Sequence, residues 1–249
     1  MSGAAMQTST TIPPESTTPP VVEAVPPLEN GDRLTRDEFE RRYKAMPELK
    51  KAELIEGIVY MASPVSYKGH GRPHLKVNTW LGNYLAATPG VDGADHATTR
   101  LDLDNEPQPD ACLIVLPEHG GRCRIDEDDY IVGGPEIVVE IASSSASYDL
   151  HSKLNAYRRN GVLEYVVWRT RDAAIDWFVL RGGRYDRLTP VDGICRSESL
   201  PGLWLDVSAM LKNDLAAVLG AVARGTATPE HAAFVAGLAA ARSPEGPKP

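Results

Sequence analysis

Asp110 opens one apolar segment, Glu140 interrupts a second, and Lys153 follows on the next predicted helix. Three ionisable groups then meet one sheet. Carboxylate oxygens suit a hard cation such as Mg²⁺ with positions left for water and a substrate phosphate, and Asp110 with Glu140 could supply them. Glu140 is the more telling residue, because Ile137-Val138-Val139-Glu140-Ile141 is apolar apart from that one charge. Burying a lone carboxylate is costly unless it is paired or meets a cation. Each residue also has a plainer reading. Glu140 could face solvent from its strand, Asp110 could lie in a turn after Pro109, and Lys153 could pair on a helix surface with Asp149, four residues before it.

Two further groupings suggest other chemistry. His70 and His74 have the four-residue spacing with which one helix face chelates zinc. Pro73 disfavours a continuous helix through both, so they are expected to straddle a loop and a helix start, with His74 supporting the site's rim rather than ligating a metal. Ser143 to Ser145 with His151 suggest a Ser-His hydrolase, but the chain has no GxSxG elbow to present the nucleophile.

The elements that must position these residues can be read from periodicity and turn chemistry. Thr35, three residues before Glu38, has capping-box spacing for a short helix through Phe39 and Tyr43 that ends near Met46-Pro47. The stretch 52–61 reads as a helix end or turn running into a strand, with Gly57 as hinge. Helical spacing follows over 74–87, then strand-like stretches over 97–103, 111–116 and 137–141. Asp149 is expected to cap a helix bearing Leu150, Leu154 and Tyr157, with Gly161 ending it. The stretches 162–168, 174–180 and 184–188 read as consecutive antiparallel strands, the last two joined by Arg181-Gly182-Gly183.

With 42% apolar residues among 249, the chain can bury a sizeable core, and one domain is expected over 33–212. Residues 1–32 form a Pro/Ser/Thr-rich leader expected to be disordered and dispensable, and 213–249 an Ala-rich helical or disordered appendage. Three cysteines, Cys112, Cys123 and Cys195, without a CxxC pattern argue against a disulfide framework or a thiolate zinc site and fit a reducing cytoplasm. No apolar run is long enough for a membrane span, and no signal-peptide pattern is present. The formal charge of −8 gives no bulk steering toward nucleic acid, so phosphate contacts would need a local basic strip, with Arg158, Arg159, Arg169 and Arg171 as candidates.

The ordered strings Ala52-Glu53-Leu54-Ile55-Glu56-Gly57, Ala62-Ser63-Pro64, Gln108-Pro109-Asp110 and Val138-Val139-Glu140-Ile141-Ala142-Ser143 resemble the Uma family, as do Lys153 with Tyr157, Gly161-Val162 through Val167, and the closing Leu200-Pro201-Gly202-Leu203. That is a family of restriction-endonuclease-like proteins in the PD-(D/E)XK superfamily, and the resemblance runs from about Leu34 to Leu211. It implies an α/β (α+β) fold: a restriction-endonuclease-like core of mixed β-sheet flanked by helices, with an additional antiparallel β meander. It also implies a Mg²⁺ (or Mn²⁺) site that activates water against DNA. Asp110 matches the motif aspartate and Glu140 the strand glutamate, the two expected metal ligands. Glu53 matches the acidic residue of the first core helix, and Glu56 a commonly acidic position. Ala142 stands where the superfamily has its lysine, and Lys153 matches a lysine moved to the following helix. His74 and Tyr157 match as supporting residues, and loss of Lys153 is expected to slow hydrolysis while leaving folding nearly intact. The resemblance is broken at Ala142-Ser143-Ser144-Ser145, where relatives carry a Ser-Pro-Ser turn, and at Trp168-Arg169, where an aspartate often ends the strand. DNA is the expected partner, and a homodimer is compatible with that role. The competing expectation is a noncatalytic nucleic-acid-binding or protein-interaction module on the same scaffold, since fold alone does not set function.

Overall fold

A computed structural model describes residues 24–61, 64–143 and 148–242. The first 23 residues of the expected leader, Ala62-Ser63, Ser144-Ser145 and the last seven residues of the expected tail lie outside the described residues.

Helix α1 (Arg36–Lys44) begins where the capping box was expected, but the Thr35 side chain makes no cap hydrogen bond. Glu38 is held by Arg41 and Arg42, each at 2.7 Å, and does not reach back to the cap. The stretch expected as a helix end or turn running into a strand is a hairpin, with β1 (Ala52–Ile55) in place of the helix end and β2 (Ile58–Met61) as the strand after Gly57. Its two-residue turn puts Glu56 at φ 54° and Gly57 at φ 71°, the double positive φ that suits the twist of paired strands. Helix α2 (Arg72–Leu85) is preceded by a π turn over Tyr67–Gly71. No loop therefore separates His70 from His74, because Pro73 falls in the first turn of α2, where its missing N–H costs little.

Strands β3 (Val91–Ala94), β4 (Thr99–Arg100) and β5 (Ala111–Val115) follow, β4 being shorter than the strand expected over 97–103. Short strands β6 (Arg124–Ile125) and β7 (Ile131–Val132) pair with β4. Strand β8 (Ile137–Ala142) is buried along its whole length. A π segment over Asp149–Lys153 runs into α3 (Leu154–Arg159) and leads to β9 (Glu164–Arg169), β10 (Ala174–Arg181) and β11 (Arg184–Arg187). Tyr148 is already helical in backbone, so Asp149 lies buried inside the helical segment and is not its N-cap. Gly161, at φ 74°, does end α3 as expected. The main sheet has the order β11-β10-β9-β8-β5-β3. Its neighbours are antiparallel except β8 and β9, which run parallel across the α3 crossover. The fold is thus a mixed α/β sheet flanked by helices, and β9 to β11 form the expected antiparallel meander.

Beyond it, β12 (Ile194–Arg196) pairs with β13 (Trp204–Asp206), followed by α4 (Val207–Leu211), α5 (Leu215–Thr226) and α6 (Pro229–Ala241). The segment expected as an appendage is built into the core: Val218, Val222 and Leu238 pack with Trp80 and Tyr84 of α2. Part of the expected leader also packs. Leu28 is buried with Phe39, Leu54 and Val59, and Gly31 donates its N–H to the Val59 carbonyl.

The two faces of the sheet separate along the period of two. Ile137, Val139 and Ile141 of β8 and Ala111, Leu113 and Val115 of β5 pack toward α2, whereas Val138 and Ala142, with Cys112 and Ile114, pack toward Tyr157 of α3. Alternation places Asp110 and Glu140 on this second face. The register Ala111 to Val139, continued by one residue, sets them opposite each other.

Candidate active site

Each side chain reaches the site through its own element. The β1–β2 hairpin docks on the segment leading into β5 by paired backbone bonds, Leu54 N to Glu106 O at 3.1 Å and Glu106 N to Leu54 O at 2.7 Å. Glu53 is thereby held beside that segment, where its Oε1 accepts from the Gln108 N–H at 2.7 Å. It comes from a strand, not from the core helix expected for it. Lys153, one turn before Tyr157, points inward from the end of the π segment. Its Nζ donates to Glu140 Oε1 at 2.8 Å and to Glu53 Oε1 at 3.0 Å. Tyr157 donates its hydroxyl to the same Glu140 oxygen at 2.8 Å.

Asp110 is fixed from both sides. Its Oδ2 accepts from the Ile141 N–H at 2.7 Å, tying it to β8. Its Oδ1 lies 3.1 Å from His70 Nε2, 3.2 Å from His96 Nε2 and 3.8 Å from Lys51 Nζ. Lys51, Glu53, His70, His96, Asp110, Glu140, Tyr148, Asp149 and Lys153 line one cleft of about 190 Å³.

The electrostatics divide the two carboxylates. Burial alone would raise Asp110, but the hydrogen bonds from His70 and His96 outweigh it and hold the carboxyl well below the usual range. The same bond raises His96. Burial pushes Glu140 up to about 8 despite Lys153, with Asp110, Asp149 and Glu53 adding to the rise. Burial would lower Lys153, but Glu140 and Glu53 overcome this and keep its ammonium well above the ordinary value. Lys153 therefore stays protonated beside Glu140. Glu140 is the group that its surroundings leave short of positive charge. Opposed carboxylate oxygens with such a shortfall fit a hard divalent cation, which favours the ionised form of both.

Asp110, Glu140, Glu53 and Lys153 thus share one cleft, with Tyr157 bonded to Glu140 behind it. Glu56 and His74 do not line the cleft. Glu56 pairs with Arg159 at 2.9 Å from the hairpin turn, and His74 Nε2 lies 2.8 Å from the main-chain oxygen of Asp110. The plainer readings of Glu140 and Lys153 fail, since these side chains are 5% and 4% exposed. So does the expectation that folding would tolerate loss of Lys153, because removing it would leave two buried carboxylates facing each other. The arginine strip is largely committed elsewhere: Arg159 to Glu56, Arg169 to Asp172 and Asp176, and Arg158 to the Gly183 carbonyl. His151 is exposed and the cleft does not include it, so the Ser-His reading gains nothing. Lys51, His96 and Tyr148 were not singled out in the sequence. The one available signal was the Asp95-His96 pair ahead of β4.

The family model Uma2, described as "Putative restriction endonuclease", matches residues 36–208. No curated protein matches the chain. A crystal structure of "a putative nuclease belonging to DUF820" from Anabaena variabilis ATCC 29413 is similar at 13% identity and a TM-score of 0.49, covering 69% of this chain and 97% of that one. Among the described residues, no helix is long and apolar enough to cross a membrane.

Proposed function

The chain belongs to the Uma2 family, and from that premise we propose that it is a cytoplasmic, metal-dependent endonuclease that hydrolyses DNA phosphodiester bonds. The observation that carries the proposal is the Lys153 ammonium, buried between Glu140 and Glu53 on the sheet face that also presents Asp110. Asp110 and Glu140 would hold the cation. Bound Mg²⁺ or Mn²⁺ supplies Lewis-acid polarisation of the phosphate and a water of lowered pKa.

The remaining work falls to the chain's own groups. Lys153 places positive charge where a phosphorane gathers negative charge, and Glu53 fixes the direction of its Nζ. Tyr157 orients Glu140 by donating to Oε1, and the Ile141 N–H orients Asp110. Lys51, at the same cleft, offers a phosphate contact that does not depend on the molecule's net charge.

The test is incubation of the full chain with supercoiled and linear DNA, with Mg²⁺, with Mn²⁺ and with chelator. Nicking or cutting that needs the cation is expected. DNA left intact with both cations would favour a binding module that keeps the nuclease scaffold.

A further inference from the structure

At the rim of the carboxylate cleft, which His96 also lines, three side chains converge that have no assigned part in the proposed hydrolysis. His74 comes from α2, and Asp95 with His96 from the loop between β3 and β4. One nitrogen or oxygen from each lies within 4.8 Å of the others. His74 Nε2 is 3.1 Å from Asp95 Oδ1 and 2.8 Å from the Asp110 main-chain oxygen, a contact the metal would replace, and His96 Nδ1 contacts the same Asp95 oxygen. Tetrahedral ligands held at roughly 2.0 to 2.2 Å from a zinc ion lie about 3.3 to 3.6 Å from one another, so small side-chain shifts would bring the cluster to a first coordination shell.

We propose that His74, Asp95 and His96 form a second metal site, one that takes a borderline divalent transition cation such as Zn²⁺. Two imidazoles select Zn²⁺, Co²⁺ or Ni²⁺ over Mg²⁺, whereas the Asp110 and Glu140 pair offers only oxygen. His96 supports the assignment through its other ring nitrogen. Its Nε2 lies 3.2 Å from Asp110 Oδ1, the carboxylate contact that metal-bound histidines use to fix their tautomer. With Nδ1 on the metal, the ring proton must be on Nε2, so His96 donates to Asp110. Occupancy of the outer site therefore holds Asp110 in its present orientation. The Asp95 side chain is 55% exposed, which leaves the site open to loading from solution. The inference does not depend on the nuclease reading.

The test is calorimetric titration of the full chain with Zn²⁺, together with Co²⁺ titration followed by visible d–d absorption, in excess Mg²⁺. The wild type is expected to bind one equivalent and to show the Co²⁺ bands. Asp95→Asn and His74→Gln should weaken binding by about 100-fold or more. Glu140→Gln, which alters only the carboxylate cleft, should leave Zn²⁺ affinity unchanged. Asp95→Asn changes a half-exposed side chain, so its fold should persist, and its circular dichroism checks this. Absence of Zn²⁺ and Co²⁺ binding, unchanged affinity in folded Asp95→Asn, or loss of binding in Glu140→Gln would each overturn the proposal.

Discussion

Lys153 Nζ stands 2.8 Å from Glu140 Oε1, and neither side chain is more than 5% exposed. An ion pair at that distance on a surface would matter little. Here water cannot rehydrate either charge once the other is removed. Lys153→Ala should therefore lower stability by about 3–5 kcal/mol in urea unfolding. Lys153→Met combined with Glu140→Gln should recover most of that loss, because both charges leave together. Strictly additive losses would show that the pair is not coupled.

Leu28 is 3% exposed in the small cluster under α1 and the β1–β2 hairpin. Leu28→Ala should cost about 2–5 kcal/mol through lost burial and a cavity. An unchanged urea midpoint would return this segment to the dispensable leader expected from its composition.

Gly225 near the end of α5 admits no side chain. A Cβ there would lie 2.2 Å from the Gly202 carbonyl oxygen and 2.8 Å from Trp204 Cγ. Gly225→Ala should destabilise by about 1–3 kcal/mol or more, since backbone blocks the added methyl. Gly220→Ala meets only the Arg224 guanidinium at 3.7 Å and should stabilise α5 by up to about 1 kcal/mol. Equal melting temperatures for the two variants would show that α5 does not pack as described.

The candidate face was legible in the sequence because β5 is an apolar run with Asp110 just before it and β8 an apolar run broken by Glu140. The Asp110 and Glu140 relationship needed only the register of β5 on β8. Glu53 was misplaced on a helix because Ala52-Glu53-Leu54-Ile55 suits either structure, and only the Glu56-Gly57 turn settles it as a hairpin. The capping box failed because two arginines on α1 offer Glu38 a charged partner that the Thr35 N–H cannot match. His96 escaped notice because its contact with Asp110 is tertiary, and the packing of α5 and α6 on the core because alanine-rich faces give little contrast between inside and outside. Lys153 stood out by its place after Asp110 and Glu140, and the family resemblance gave it a role. Its own spacing from Asp149 read as an ordinary surface pair.

His231 at the start of α6 packs against Tyr84, and its Nε2 lies 3.0 Å from Thr88 Oγ1, which itself donates to the Tyr84 carbonyl at 2.8 Å. That hydroxyl therefore accepts from the His231 Nε2–H. Burial lowers the His231 pKa below its ordinary 6.5. The folded state thus binds a proton less readily than the unfolded one. Its contribution is complete above 6.5 and is lost as pH falls below that value. His231→Gln should unfold in urea with a shallower loss of stability than wild type between neutral pH and pH values below 6.5. A wild-type slope in the variant would assign the pH dependence to other groups.

The most direct measurement of the central claim is the initial rate of supercoiled-plasmid nicking in Mg²⁺ by wild type, Asp110→Asn and Glu140→Gln, each verified as folded. Removing one of the two carboxylates proposed to hold the cation should lower the rate by about 10²-fold or more. Wild-type nicking that is fast and cation-dependent, with both variants nearly inactive, is the predicted result. Variants that nick as fast as wild type would contradict it.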